Sequence, residues 1–359
     1  MQEIKFDFDD IKLVPADSSV IRSRKSVNVK IQETRFMRIQ TLPLMSAPMD
    51  SVVSAYRTGF NPVILSDLLE AGIRPVTPRN TVVFNDSFGY AFTSQSLEEV
   101  KRYLSEEVVG PEFSFICIDM ANGHMSDLAV TVRALKTKFP ALVLMVGNIA
   151  NPYTYKILSE AGADYVRCGI GSGSGCLTTQ QTGVGYPMAS LIHECAQFAA
   201  QMETPAKIIA DGGFHKYADI IKALALGADY VMMGGLISKM LESDSVPYLW
   251  KMIPVKNRRL ANWLFEKKMP LYKKFRGMST KEVQREWQKN TSSKVNPLKT
   301  SEGITKWNRV DSTLLGWVEN FESYLRSAMS YSNARDLQEF RENSSFVQIT
   351  SNSQARFKK

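Results

Sequence analysis

A series of short apolar runs, each ending in Gly, Asp or Asn and each followed by a stretch of helical period, recurs along most of this chain. The runs are LPLMSAPMD (42–50), FSFICIDMANG (113–123), ALVLMVGN (141–148), ADYVRCGIGSG (163–173), AKIIADGG (206–213) and ADYVMMGG (228–235). Between them, SDLAVTVRALKTKF (126–139), PYTYKILSEAG (152–162), MASLIHECAQFAAQM (188–202) and YADIIKALALG (217–227) carry apolar residues near three- and four-residue spacing, the mark of an amphipathic helix. Strand and helix in strict alternation call for a parallel sheet with helices outside it, which excludes a sandwich and a bundle. The α/β pattern is that of a (β/α)8 TIM barrel. A doubly wound sheet is the alternative at this point, although no GxGxxG opens a helix after the first strand, as that fold's dinucleotide site requires.

At 359 residues and 44% hydrophobic, the chain is long enough for one large core. It has no apolar run of about 18 residues to span a bilayer, and the start MQEIKFDFDD is charged where a signal peptide is apolar. A cytoplasmic protein is expected, with no membrane partner. Cys117, Cys168, Cys176 and Cys195 show no CxxC spacing, so neither a zinc site nor a disulfide framework is expected. The net charge of +8 is concentrated in Lys251–Arg276, where nine Lys or Arg meet one Glu, and in the end ARFKK. Leu260, Trp263, Leu264 and Phe265 interleave the first of these, as in an amphipathic surface element. Nucleic acid is not the expected partner.

In such a barrel the carboxyl ends of the strands meet at one site, so Asp50, Asp119, Asn122, Asn148, Asp211 and the Gly234–Gly235 pair are expected to converge. GIGSGSGCLTTQQTGVGYP (169–187) sets Cys176 among glycines and hydroxyls. A thiol amid backbone donors suits a nucleophile. Gly-Gly after a strand exposes N–H groups that can hold a phosphate, and Ser174 adds a hydroxyl. The aspartate of ADGG (210–213) can accept from a vicinal diol such as that of a ribose. Together these features point to a nucleotide.

The Cys loop resembles the catalytic loop of the IMP dehydrogenase and GMP reductase family: a Gly-rich turn, a Ser, the nucleophilic Cys and a Thr two residues on. FDFDDIKLVP (6–15), SAPMDSV (46–52), ICIDMANGH (116–124), GNIANPYTYKILSEAGADYVRCGIG (147–171), ADGGFHKYADIIKALALGADYVMMGG (210–235), RGMS (276–279), SEG (301–303) and FVQIT (346–350) follow in family order. The likeness spans nearly the whole chain. It is closest to the reductases. GIRPVTPRN (72–80) runs almost directly into SLEEVKRYLSEE (96–107), leaving no room for the CBS modules of the dehydrogenases. DMANG and TGVGYP have the reductase form. The stretch 279–300, where the dehydrogenases carry an Arg-Tyr pair that activates water, holds Arg285 and no tyrosine.

The resemblance implies an NADPH-dependent reductive deamination of GMP, or a related guanine nucleotide, to IMP and ammonia through a Cys176 thioimidate. Thr178 and Glu302 would supply the proton. It assigns the nucleotide to Ser174, Asp211, Gly212, Gly213, Gly234, Gly235, Gly277, Met278, Ser279 and Lys299, and the cofactor to Asp119, Asn122, Gly123, Ser23 and Arg24. It implies K+ on the carbonyls of Gly171, Gly173 and Cys176, and a homotetramer. A single barrel domain over 1–350 is expected, with a mobile flap at about 279–300, a basic insertion at about 236–276 and a basic tail at 351–359. The chain departs from the reductases at several places. Thr179 stands where they have an Arg linked to the cation, TPRN replaces a Lys-bearing stretch so that Arg79 is the nearest cation there, and YLRSAMS (324–330) lacks a Gly-Gly. The alternatives are an IMP dehydrogenase-type enzyme without CBS modules and a nucleotide-binding homologue with decayed chemistry.

Overall fold

Eight parallel strands form one sheet: β1 (Leu44–Ser46), β2 (Val76–Thr77), β3 (Phe92–Gln95), β4 (Phe115–Asp119), β5 (Val143–Ile149), β6 (Tyr165–Cys168), β7 (Lys207–Asp211) and β8 (Tyr230–Met233). Their order, β1-β8-β7-β6-β5-β4-β3-β2, curls back on itself. A parallel bridge from Met45 to Arg74 closes the ring; the Ser46 N–H donates to the Arg74 carbonyl and the Arg74 N–H to that of Leu44, both at 3.0 Å. This computed structural model describes residues 4–32, 40–53, 60, 61, 63–79, 91–106, 115–280 and 300–357.

Helices α1 (Ile64–Glu70), α2 (Leu97–Glu106), α3 (Ser126–Lys138), α4 (Pro152–Glu160), α5 (Thr178–Thr182), α6 (Met188–Ala199) and α7 (Tyr217–Ala225) fill the connections. The helices expected at 126–139, 152–162, 188–202 and 217–227 are all present and end slightly early. Their limits follow local chemistry. Asn151 accepts from the Tyr153 N–H at 2.8 Å to open α4, with Pro152 in the first turn where its missing N–H is harmless.

Strand side chains alternate, so each strand feeds two cores. Met45, Phe92, Phe115, Cys117, Met145, Tyr165, Ile209, Tyr230 and Met232 fill the barrel interior. Ile116, Ile118, Leu144, Val146, Val166 and Val231 face the helices. The same parity decides what stands at the mouth. Asp119 follows Phe115 and Cys117 on the inner face, Arg167 follows Tyr165, and Asp211 follows Ile209. Lower in the interior, Arg74 is fully buried; its guanidinium lies 4.4 Å from the Phe92 ring centre and donates to the Tyr165 hydroxyl at 3.0 Å, a cation on π faces.

The basic segment folds as part of a lobe. Strands β9 (Pro247–Leu249), β10 (Ile253–Pro254), β11 (Leu271–Arg276) and β12 (Thr305–Arg309) form an antiparallel sheet in the order β10-β9-β11-β12, with helix α8 (Arg258–Glu266) beside it. As expected of an amphipathic element, α8 buries Ala261 and Leu264 and exposes Leu260 and Trp263. Lys273 fastens the lobe, its buried ammonium donating to the carbonyls of Leu241 at 2.8 Å and Ser243 at 2.6 Å. Arg276 pairs with Asp50. Helices α9 (Leu314–Tyr331) and α10 (Leu337–Asn343) follow, and the strand Ser345–Gln348 pairs antiparallel with Ile11–Val14. Residues expected as a tail form the helix Ser351–Arg356, because Gln354 is buried and donates to Asp9 at 3.0 Å.

Candidate active site

The carboxyl ends of the strands surround a cavity of about 560 Å³. Its reactive edge is Cys176. The thiol donates to the Thr178 hydroxyl at 3.2 Å, and that hydroxyl donates to Glu302 Oε2 at 2.7 Å. Backbone holds this relay together. The Leu177 N–H donates to the Glu302 carbonyl at 2.7 Å and the Ile304 N–H to that of Gly175 at 3.1 Å, while Cys176 and Gly303 form an antiparallel bridge. Two segments far apart in the chain thus act as a strand pair, and Thr178, in the first turn of α5, stands between thiol and carboxylate.

A second part of the wall is built on Arg167, which the sequence reading did not single out because it lies in a run that reads as apolar. Its Nη1 donates to Asp119 Oδ1 at 2.6 Å, and its Nη2 and Nε donate to Asp211 Oδ2 at 2.8 and 3.2 Å. Asn148 Nδ2 adds a third bond to the same Oδ2 at 2.7 Å. The signal that finds Arg167 is parity: a charge two residues after an inward Tyr165 must also point inward. Burial alone would depress its guanidinium, but the Asp211 and Asp119 carboxylates outweigh that and hold it well above the ordinary arginine value. Burial pushes the Cys117 thiol up to about 11, so this second inward cysteine stays protonated and is no nucleophile. Arg79 joins from beyond β2, with its Nη2 on the Asp119 carbonyl and its Nε 3.6 Å from Asp119 Oδ2.

Of the residues singled out in the sequence, Asp119, Gly171, Gly173, Ser174, Cys176, Thr178 and Glu302 line the cavity. So do Asp211 with Gly212 and Gly213, Gly234 with Gly235, and Gly277 with Met278 and Ser279. Gly212 and Gly213 take φ of +83° and +82°, which is why two glycines follow Asp211. Asn122 and Gly123 lie in the loop after β4, outside the lining. There Asn122 Oδ1 accepts from the His124 N–H at 3.1 Å, and the Gly123 N–H donates to Asn148 O at 2.8 Å. Asp50 is turned away to Arg276. Ser23 and Arg24 stand on a short 3-10 turn packed against α9 and are not brought to the cavity. Lys299 and Arg285 lie outside the described residues.

The carbonyls of Gly171, Gly173 and Cys176, which the resemblance assigns to K+, belong to the loop that presents the thiol. Gly173 O already accepts from the Cys176 N–H at 2.9 Å. The Thr179 hydroxyl donates to Val184 O at 2.8 Å and lies so close to Gly171 that a Cβ there would stand 1.7 Å from it. These groups tie the loop from within the protein.

Residues 92–357 match the IMP dehydrogenase / GMP reductase domain. The chain belongs to the IMP dehydrogenase / GMP reductase family. Relatives within this family include GMP reductase 1 of Mus musculus, 31% identical with 97% of this chain and 96% of the relative covered. GMP reductase 1 of Homo sapiens is 30% identical with coverage of 97% and 96%, and the GMP reductase of Phytophthora infestans is 28% identical with 97% and 91%. Membership makes the chain a purine nucleotide oxidoreductase working with a nicotinamide cofactor. Among the described residues no helix is long and apolar enough to cross a membrane.

Proposed function

We propose that this chain reduces GMP to IMP and ammonia with NADPH, as a homotetramer in the cytoplasm. The observation that carries the reading is the relay from Cys176 through Thr178 to Glu302, opening on the same cavity as Asp211 and Asp119. Met49, Phe214 and Phe275 offer apolar surface to a purine there. Asp211 accepts from the ribose hydroxyls, and Ser174 with the Gly234–Gly235 N–H groups takes the phosphate. Asp119, Met120 and Ala121, which also line the cavity, would hold the nicotinamide. When bound, the reduced cofactor supplies a hydride.

The protein's part is proton management. Sulfur bonds to C2 of the guanine while the thiol proton passes to Thr178 and Glu302. The same pair returns that proton to the exocyclic amine, the C2–N bond breaks, and ammonia leaves. A neutral thioimidate on Cys176 remains. With a hydride supplied at C2 by a bound cofactor the C–S bond would break, and the Cys176 thiolate would recover a proton from solvent as IMP departs.

Mixed with GMP and NADPH, the protein is expected to oxidise the cofactor, seen as loss of its near-ultraviolet absorbance, with release of ammonia. IMP with NAD is expected to give little reduced cofactor, since no tyrosine stands in 279–300 to complete a water activator. Inertness of GMP and dGMP alongside reaction of another purine nucleotide overturns the substrate. Tight nucleotide binding without any reaction overturns the enzyme. Asp211→Ala is expected to weaken GMP affinity by about 1–3 kcal/mol, the cost of leaving a hydrogen-bonding partner unsatisfied; titration calorimetry reads this, and an unchanged dissociation constant removes Asp211 from the nucleotide site.

A further inference from the structure

Arg167 is shared between two ligand-facing carboxylates that stand on different strands. All three line the cavity, and the Arg167 side chain is the most buried of them, 6% exposed against 11% for Asp211 and 23% for Asp119. Three donors, Arg167 Nε and Nη2 and Asn148 Nδ2, converge on Asp211 Oδ2. That fixes the carboxylate's rotation and leaves Oδ1 as the oxygen for a ligand hydroxyl. On the other side Nη1 must cross β5 to reach Asp119. It can because Gly147 lies opposite Arg167 in the sheet, where a Cβ would stand 2.6 Å from that of Arg167.

We propose that Arg167 is a positioning residue for both halves of the cavity, and that through it nucleotide binding and cofactor binding are linked. The inference rests on the reading above, with nucleotide hydroxyls at Asp211 and cofactor at Asp119. A guanidinium is planar and its donors move together. A ligand that settles Asp211 therefore settles Arg167 and, through Nη1, Asp119. The second ligand then meets a carboxylate already ordered. Linkage of this kind is reciprocal.

The test measures GMP affinity by calorimetry with and without saturating NADP+, which has no hydride to transfer. The proteins compared are wild type, Arg167→Lys, Arg167→Met, Asp211→Asn and the Arg167→Met/Asp211→Asn double variant. NADP+ is expected to tighten GMP about fivefold or more in wild type and less than about twofold in Arg167→Met. Arg167→Met alone should weaken GMP about tenfold or more, but less than about threefold on top of Asp211→Asn, because one effect acts through the other. A residue that only supports the fold gives additive losses and keeps the NADP+ effect. Either result overturns the proposal, as does a wild type without linkage. Should Arg167→Met fail to fold, Arg167→Lys decides: a single ammonium cannot hold both carboxylates, so linkage should fall in a protein of near-native melting temperature. If IMP or AMP binds in place of GMP, the substrate reading fails alone and the same cycle is read with that nucleotide. If no purine nucleotide binds, both fall.

Discussion

Cys176→Ala is expected to lower turnover at least about 10⁴-fold while leaving the GMP dissociation constant within about tenfold. The thiol forms the bond to the purine, so nothing else in the cavity can replace it. Cys117, also on the inner face, is buried, and burial pushes its thiol up to about 11, so it stays protonated near neutral pH. Binding depends instead on Asp211 and on the phosphate-holding turns, which the substitution does not touch. Alanine also keeps the Cys176 N–H bond to Gly173 O at 2.9 Å and so the loop itself. Steady-state turnover and calorimetric GMP binding on the same preparation check this. Undiminished turnover would sink the covalent mechanism, and a parallel loss of binding would mean that the loop had collapsed.

Glu302→Gln has the second largest expected effect, a slowing of ammonia release by about 10²–10⁴-fold, the usual worth of a positioned acid–base group. The amide oxygen can still accept from Thr178, which lies 2.7 Å from the carboxylate, so the geometry should survive. What is lost is the ability to take and return a proton. Ammonia measured in a single turnover should therefore fall much more than GMP affinity, which should stay within about threefold. A burst of ammonia at the native rate would remove Glu302 from the relay and leave Thr178 with a purely structural bond.

The barrel was legible because it is written in local periods. Each apolar run is a few residues long and each helix repeats over three or four, so windows of the chain carry the signal without knowledge of their neighbours. The loops that carry chemistry were legible for a related reason: glycines at 212 and 213 mark backbone with φ near +80°, a demand no other residue meets as easily. Charged residues were read less well. Asp50 and Asp211 both end apolar runs and look alike in the sequence. One faces the cavity, and the other is drawn to Arg276 on the added lobe.

What the sequence determined by itself was therefore the repeating βα architecture, the ring of polar strand ends, and Cys176 in a loop built to present it. The family resemblance already implied Glu302 beside Thr178; tertiary structure alone placed Arg167 between Asp119 and Asp211, Thr179 against Gly171, and Ser23 and Arg24 away from the cavity. Strand parity decides which way Asp119, Arg167 and Asp211 point, because alternation belongs to a single strand. Which of them touch depends on the order of strands around the ring and on Gly147 leaving a gap in the strand between. Distances of this kind are set by segments remote in the chain, closing on one another only when the barrel closes.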